Sequence, residues 1–461
     1  MTAYSPITPA LRAELEARLS PGALITEPAR LEDYAGDASC LRHLPEMVVC
    51  AHNVADVQTL LTLANLHRFP VTPRGGGSGL AGACLADRGG VVLSTRGLDA
   101  IRAIDTINFT MEVEAGAISL RVREAAAARG LFYPPDPAGM ELSTIGGNAA
   151  TDAGGPACVK YGTTRDYILG LEAVLPDGSL ITTGVRTRKG VVGYDLTNLL
   201  VGCEGTLAVI TALTLKLLPK PAATTGVLCA FASMADAMRA VARVMAEGHL
   251  PSAIEFLDYR CLALVGELLP FVVPGERPSL LIVELDGPAA PIEAEMAEVV
   301  AVMTREGATR VLRARDEAER RQIWQVRRQV SLRIHDHAAL YLSEDVVVPL
   351  SQIATLVDRL AAHEARHGVE IFAFGHAGDG NIHLNITSQH PDHQEQMDRV
   401  AEELLRLVLD LGGTISGEHG IGLAKRPFLP LELAPGSIEL QRRIKALFDP
   451  NQILNPGKIF P

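Results

Sequence analysis

Pro73-Arg74-Gly75-Gly76-Gly77-Ser78-Gly79-Leu80 is the first segment of this chain that carries chemistry. Glycine at 75, 76, 77 and 79 permits positive φ and lets backbone N–H groups converge on an anion such as a pyrophosphate. Gly77-Ser78-Gly79-Leu80-Ala81-Gly82 also matches G-x-G-x-x-G formally. Its context does not fit a Rossmann turn. Only a short linker with Asp87 and Gly89-Gly90 separates Gly82 from the strand-like run Val91–Ser94, which leaves no room for the helix that motif requires. Taken alone, the segment is a surface turn.

Further small-residue loops follow it. Pro134-Pro135-Asp136-Pro137 is stiff and extended. Thr144-Ile145-Gly146-Gly147-Asn148, with Ala153-Gly154-Gly155, offers bare backbone on which a flat ligand can lie. Gly202-Cys203-Glu204-Gly205-Thr206-Leu207 closes the series. In this order and spacing, over about residues 45–220, they resemble the FAD-binding half of the vanillyl-alcohol-oxidase-type (PCMH) flavoproteins. The resemblance implies that Arg74, Gly75, Gly76, Gly77, Ser78, Gly79 and Leu80 hold the FAD pyrophosphate. It implies that Pro135, Asp136, Thr144, Gly147, Asn148, Gly154, Glu204, Gly205, Ile210 and Asn455 line the rest of the cofactor. Cys203 and Ala208 replace the more usual Ser and Gly, and both are small enough to fit. The glycine loop holds no histidine, so FAD is expected to be bound non-covalently there.

The chain of 461 residues exceeds what one hydrophobic core organises. Its 48% hydrophobic and 21% charged residues exclude a disordered or fibrous protein. A formal charge of −12 disfavours general binding to nucleic acid or an anionic membrane. Seven scattered cysteines contain no C-x-x-C pair, which speaks against a zinc ribbon or iron–sulfur cluster and for buried free thiols. The start, MTAYSPITPALRAELEARLS, lacks the apolar run of a signal peptide and reads as a helix capped by Thr8. No run of eighteen apolar residues is present. The expected location is cytoplasmic, or peripheral at the inner membrane face.

The texture changes at Leu217-Leu218-Pro219-Lys220-Pro221. Before it lie short strands and glycine turns; Leu171–Gly184 reads as a hairpin around Pro176-Asp177-Gly178. After it, helical patterns at 232–247, 289–306 and 315–338 alternate with strands such as Ser279–Leu285 and Val369–His376. The fold class expected is α+β. A two-subdomain FAD-binding domain of PCMH type spans 1–220, and a cap domain at 221–415 has helices on one face of a largely antiparallel sheet. A C-terminal segment, 416–461, is expected to complete the active site and return to the FAD domain.

Gly375-His376-Ala377-Gly378-Asp379-Gly380-Asn381-Ile382-His383 sets two imidazoles seven residues apart, on opposite faces if the strand ran straight. Gly378-Asp379-Gly380-Asn381 is a turn sequence, which can fold the chain back and bring the rings together. Gly417-Glu418-His419-Gly420 adds a carboxylate beside another imidazole. Each segment alone suits ordinary polar turns; together they form a ligand set suited to Zn²⁺, Mn²⁺ or Fe²⁺.

With Phe448–Lys458, Pro251–Phe256 and Ser343–Pro349, these segments resemble the FAD-linked D-2-hydroxy-acid dehydrogenases. That family includes D-lactate dehydrogenase, the glycolate oxidase flavin subunit and D-2-hydroxyglutarate dehydrogenase. The resemblance makes His376, His383 and Glu418 ligands of a divalent metal, and His419 the catalytic base. It assigns Arg327, in Trp324-Gln325-Val326-Arg327, to the substrate carboxylate, with Ser331 one turn further along the same helix. From periodicity alone, Arg327 is a snorkelling residue at the border of an apolar face. Tyr341-Leu342-Ser343 carries no cation, where the 2-hydroxyglutarate branch is expected to have one. A monocarboxylate such as D-lactate is therefore favoured over a dicarboxylate. Electrons would pass to an acceptor protein or quinone, and a homodimer or a larger complex is expected. Alkyl-transferring flavoproteins share the flavin fold but resemble a run of histidines where this chain has Glu418-His419.

Overall fold

The computed structural model describes residues 4–187 and 189–461; the first three residues of the amino-terminal stretch read above lie outside them. Two compact units emerge. One comprises Met1–Gly154, Thr163–Lys220 and Glu418–Pro461; the other comprises Gly155–Gly162 and Pro221–Gly417.

In the first unit, strands Met47–Cys50, Val91–Ser94 and Val71–Arg74 form a parallel ladder, and Leu24–Ile25 adds an antiparallel edge. Parallel neighbours require a crossover, supplied by helix Val54–His67. Asn53 caps that helix by accepting from Asp56 N, and Arg68 ends it in the left-handed conformation. Its buried Val57, Leu60, Leu61 and Ala64 meet Leu11 and Leu15 of the first helix over the sheet. Thr8 does cap that helix. A second sheet is antiparallel, in the order Ile101–Asp105, Thr110–Glu114, Val209–Lys216, Ile168–Val174, Leu180–Gly184. The hairpin read at 171–184 is its far edge.

The carboxy-terminal segment returns to this unit. Asn455 N donates to Val71 O at 2.7 Å, and its side-chain amide donates to Glu204 O and Ala83 O. Lys445, buried, donates to the carbonyls of Thr206 and Leu454 at 2.7 Å each and pairs with Asp449.

The second unit is built on seven antiparallel strands, ordered Arg310–Arg313, Ala223–Phe231, Ser279–Gly287, Ala253–Leu257, Glu370–His376, Asn381–Ser388, Leu340–Val347. Helices cover both faces, not the single face expected. Helices Tyr259–Val265 and Glu317–His337 pack on Leu228, Ala230, Leu280, Ile282, Phe372 and Phe374. The alternate residues Cys229, Phe231, Leu281 and Val283 are also buried, on the face covered by Met234–Ala246 and Ala289–Arg305. An unbroken apolar run such as Ser279–Leu285 is what two-sided burial demands. Gly155–Gly162, sequentially inside the first region, belongs here: Lys160 Nζ and Tyr161 OH bind the two Asp286 oxygens at 2.5 and 2.8 Å.

All seven cysteines are free, but only Cys203, Cys229 and Cys261 are buried; Cys40 is exposed. No helix among the described residues is long and apolar enough to cross a membrane.

Candidate active site

A cavity in the first unit follows the glycine loop. Of the residues expected to bind the cofactor, Arg74, Gly75, Gly76, Gly77, Ser78, Gly79, Leu80, Thr144, Gly147, Asn148, Gly154, Glu204, Gly205 and Ile210 line it. Pro135, Asp136 and Asn455 do not. Glu418 and His419 line it too, alongside Asp37, Cys84 and Thr95, which sequence reasoning missed. Nine of the lining residues are glycine and five alanine, so a large part of the wall is bare backbone or a single methyl group. A Cβ on Gly79 would meet nothing within 4 Å, leaving space beside the loop. That surface fits a long, flat, anionic cofactor such as FAD.

Close packing holds the loop in shape. Gly77 has φ 73°, and a Cβ on Gly76 would run into the Leu142 carbonyl. The Arg74 guanidinium lies against this loop, but its nitrogens are engaged by Gly36 O at 2.8 Å and Cys84 Sγ at 3.3 Å. It therefore braces the loop in addition to lining the cavity. Thr144 caps helix Ile145–Thr151 by accepting from Gly147 N at 3.2 Å. Asn148 Nδ2 donates to Ser119 Oγ at 2.8 Å, tying that helix to Ser143 through the Ser119–Ser143 hydroxyl pair.

Glu204 has a second task. Its two carboxylate oxygens accept from Ile421 N at 2.8 Å and Gly422 N at 2.7 Å. Burial raises its pKa more than these N–H groups lower it. The buried carboxyl thus anchors the turn that follows Glu418-His419. Nothing in the spacing of 204 and 421 along the chain announces this contact.

The second unit brings His376, His383 and Arg327 together on one face of its sheet. Strands Glu370–His376 and Asn381–Ser388 form a hairpin, with Phe374 opposite His383 and His376 opposite Asn381. The turn between them brings the His376 and His383 rings to 5.3 Å, nearly perpendicular at 88°. Glu255, on the next strand, is in register with His376. Its Oε1 is hydrogen-bonded to His376 Nδ1, and its Oε2 accepts from Arg327 Nε at 2.6 Å. Burial pushes the Glu255 carboxyl up, but the facing His376 and Arg327 outweigh it and hold it below its ordinary value.

Arg327 lies 4.4 Å from the Phe374 ring centroid, a cation–π contact. Beyond Nε, its guanidinium makes no other hydrogen bond among the described residues. Ser331, one turn on, is exposed and stands apart from this group. Asp345, fully buried, is paired in register with His383 and lies 3.9 Å from its Nδ1. Asp345 accepts from Asn381 Nδ2 at 2.5 Å and Gly417 N at 2.9 Å. Neither Glu255 nor Asp345 was singled out from sequence, although both lie in quoted motifs. Their burial is the missing signal.

Comparison with known proteins identifies the family. Residues 45–184 match an "FAD binding domain" and residues 220–459 match "FAD linked oxidases, C-terminal domain". The chain is 38% identical to the glycolate oxidase subunit GlcD of Bacillus subtilis, over 93% of this chain and 92% of that one. It is 40% identical to a D-lactate dehydrogenase of Archaeoglobus fulgidus, over 90% and 91% of the two chains. Among solved structures, p-cresol methylhydroxylase with substrate bound superposes with TM-score 0.77 at 19% identity, over 97% of this chain and 95% of that one. An alkyldihydroxyacetonephosphate synthase gives the same TM-score at 20% identity, over 99% and 86%. At such identities these two share the fold alone.

Proposed function

This chain belongs to the FAD-linked oxidases, and from that premise we propose that it oxidises a D-2-hydroxy acid to the 2-oxo acid. A monocarboxylate such as D-lactate is the favoured substrate. The glycine-loop cavity would hold FAD non-covalently, and the flavin would supply the acceptor for the hydride leaving the substrate Cα. Small residues from 75–79 and 144–154 give it backbone N–H groups and room.

The observation that carries the reading is the chain of contacts Arg327–Glu255–His376. Glu255 holds the guanidinium by Nε alone, so the terminal nitrogens remain to fork onto a substrate carboxylate. The same carboxylate fixes His376 by Nδ1, which sets Nε2 as the lone-pair nitrogen. An imidazole backed by a carboxylate is the usual form of a metal-ligating histidine, so the donor chemistry fits a divalent ion. His376, His383 and, by the family resemblance, Glu418 are the proposed ligands; Zn²⁺ or Mn²⁺, or else Fe²⁺, would lower the pKa of the substrate hydroxyl. His419 takes the proton from that hydroxyl as general base. Without a cation at Tyr341-Leu342-Ser343, a second substrate carboxylate has no proposed partner there.

The deciding assay is dye reduction by the purified, FAD-loaded single chain with a panel of D-lactate, L-lactate, glycolate and D-2-hydroxyglutarate, with and without added metal. D-lactate turnover is the expected result. Absence of turnover with every acid would overturn the reading. A second reading, one flavin subunit of a glycolate-oxidising complex, is supported by the name of the Bacillus subtilis relative. It predicts flavin reduction by glycolate in the single chain, with electron transfer onward only when partner subunits are added.

A further inference from the structure

We propose that the second unit also binds a divalent transition-metal ion, with Zn²⁺ as the reference, at His363, His367 and Glu403. These residues lie on helices outside the histidine hairpin. His363 and His367 are four apart at the end of helix Ile353–His367 and so share one face. Glu403 faces them from helix Gln394–Asp410. Its Oε2 lies 3.0 Å from His363 Nδ1 and 3.2 Å from His367 Nε2. All three donor atoms lie within 4.8 Å of one another. Bonds of 2.0–2.1 Å in a tetrahedron place ligand atoms about 3.3 Å apart, so these two edges are already close to those of a zinc site. Two imidazoles and one carboxylate, with a fourth position for water, are a donor set zinc accepts.

Burial favours the site. Both histidine side chains are only 15% accessible, while Glu403 at 36% leaves a path for an ion. Without metal, Oε2 of Glu403 takes a third nitrogen, Arg366 Nη1 at 3.2 Å. Arg366 is 63% exposed, so its pairing is weak and it can swing into water as an ion arrives.

His363-Glu364-Ala365-Arg366-His367 matches H-E-x-x-H, where the Glu would serve as a hydrolytic base. Glu364 cannot fill that role here. It is buried, pairs with Arg260, and accepts from Ile371 N at 2.8 Å. The ion therefore clamps two helices and does not cleave a substrate.

The test is metal uptake by FAD-loaded full-length protein, stripped with chelator and titrated with Zn²⁺ and then Co²⁺. The double variant His363→Ala/His367→Ala should bind one equivalent less than wild type and lose the Zn²⁺-dependent part of its thermal stabilisation. The variant His376→Ala, disabled at the other proposed metal site, should still show the visible bands of one tetrahedral Co²⁺. Arg366→Ala should bind more tightly. Equal uptake by wild type and the double variant would overturn the proposal, even if His376→Ala fails to fold. So would octahedral, weakly absorbing Co²⁺ in a folded His376→Ala.

Discussion

Arg327 Nε lies 2.6 Å from Glu255 Oε2, and the other oxygen of the same carboxylate holds His376. One fully buried acid thus couples the proposed carboxylate-binding cation to a proposed metal ligand. Glu255→Gln keeps the shape but removes the charge, so both partners loosen together. Removing one member of such a buried pair typically costs about 3–5 kcal/mol. The expected outcome is weaker metal retention together with a higher KM for the hydroxy acid. Metal analysis and steady-state kinetics check it; a normal KM with normal metal content would show that Glu255 couples neither.

His419→Ala and Arg327→Ala should fail differently. Loss of a general base is expected to lower flavin reduction by roughly 10²–10⁴, with substrate binding little changed and partial recovery at higher pH. Loss of Arg327 should mainly raise KM, with no recovery at higher pH, because a guanidinium does not titrate in that range. Stopped-flow flavin reduction separates the two. Wild-type reduction by His419→Ala near neutral pH would place the base elsewhere.

His376→Ala or His383→Ala should lose the metal of the hairpin site and activity yet keep FAD, since the cavity that fits the cofactor is lined by first-unit residues. The ratio of flavin to protein absorbance checks this against metal content. Loss of both together would mean that the histidines support folding.

Gly76→Ala tests the glycine loop. The added methyl runs into the Leu142 carbonyl, a backbone atom with little freedom to yield. The loop must shift, and FAD occupancy of the purified protein should fall sharply. Full yellow colour with unchanged affinity would count against the loop as the cofactor's cradle.

Asp258 makes stability depend on pH. Burial raises its pKa from 3.8 to about 6, although it caps helix Tyr259–Val265 by accepting from Cys261 N at 2.8 Å. The folded state holds this proton more tightly than the unfolded chain does. Its contribution to stability is therefore greatest below about pH 4, falls as pH rises towards about 6, and is flat above. The full swing is on the order of 3 kcal/mol. Asp258→Asn, still a good cap, should become more stable relative to wild type across that window. Melting temperatures of both proteins from pH 4 to 7 measure it, and a constant difference would refute the assignment.

Much of the molecule was legible in its residues, because local chemistry leaves local marks. The glycine loop, the Thr8 and Thr144 caps, the 171–184 hairpin and the turn that brings His376 beside His383 all depend on neighbours within a few positions. The motif order from Arg74 to Lys458 sufficed for the family. What tertiary structure alone decided are pairings between distant positions. Glu255 reaches His376 through register across two strands, Glu204 holds Ile421 and Gly422, and Glu403 meets two histidines across a helix pair. A buried carboxylate and an exposed one are written with the same letter. Only packing determines which acid is stripped of water, and so which must find a cation, an N–H group or an imidazole as its partner.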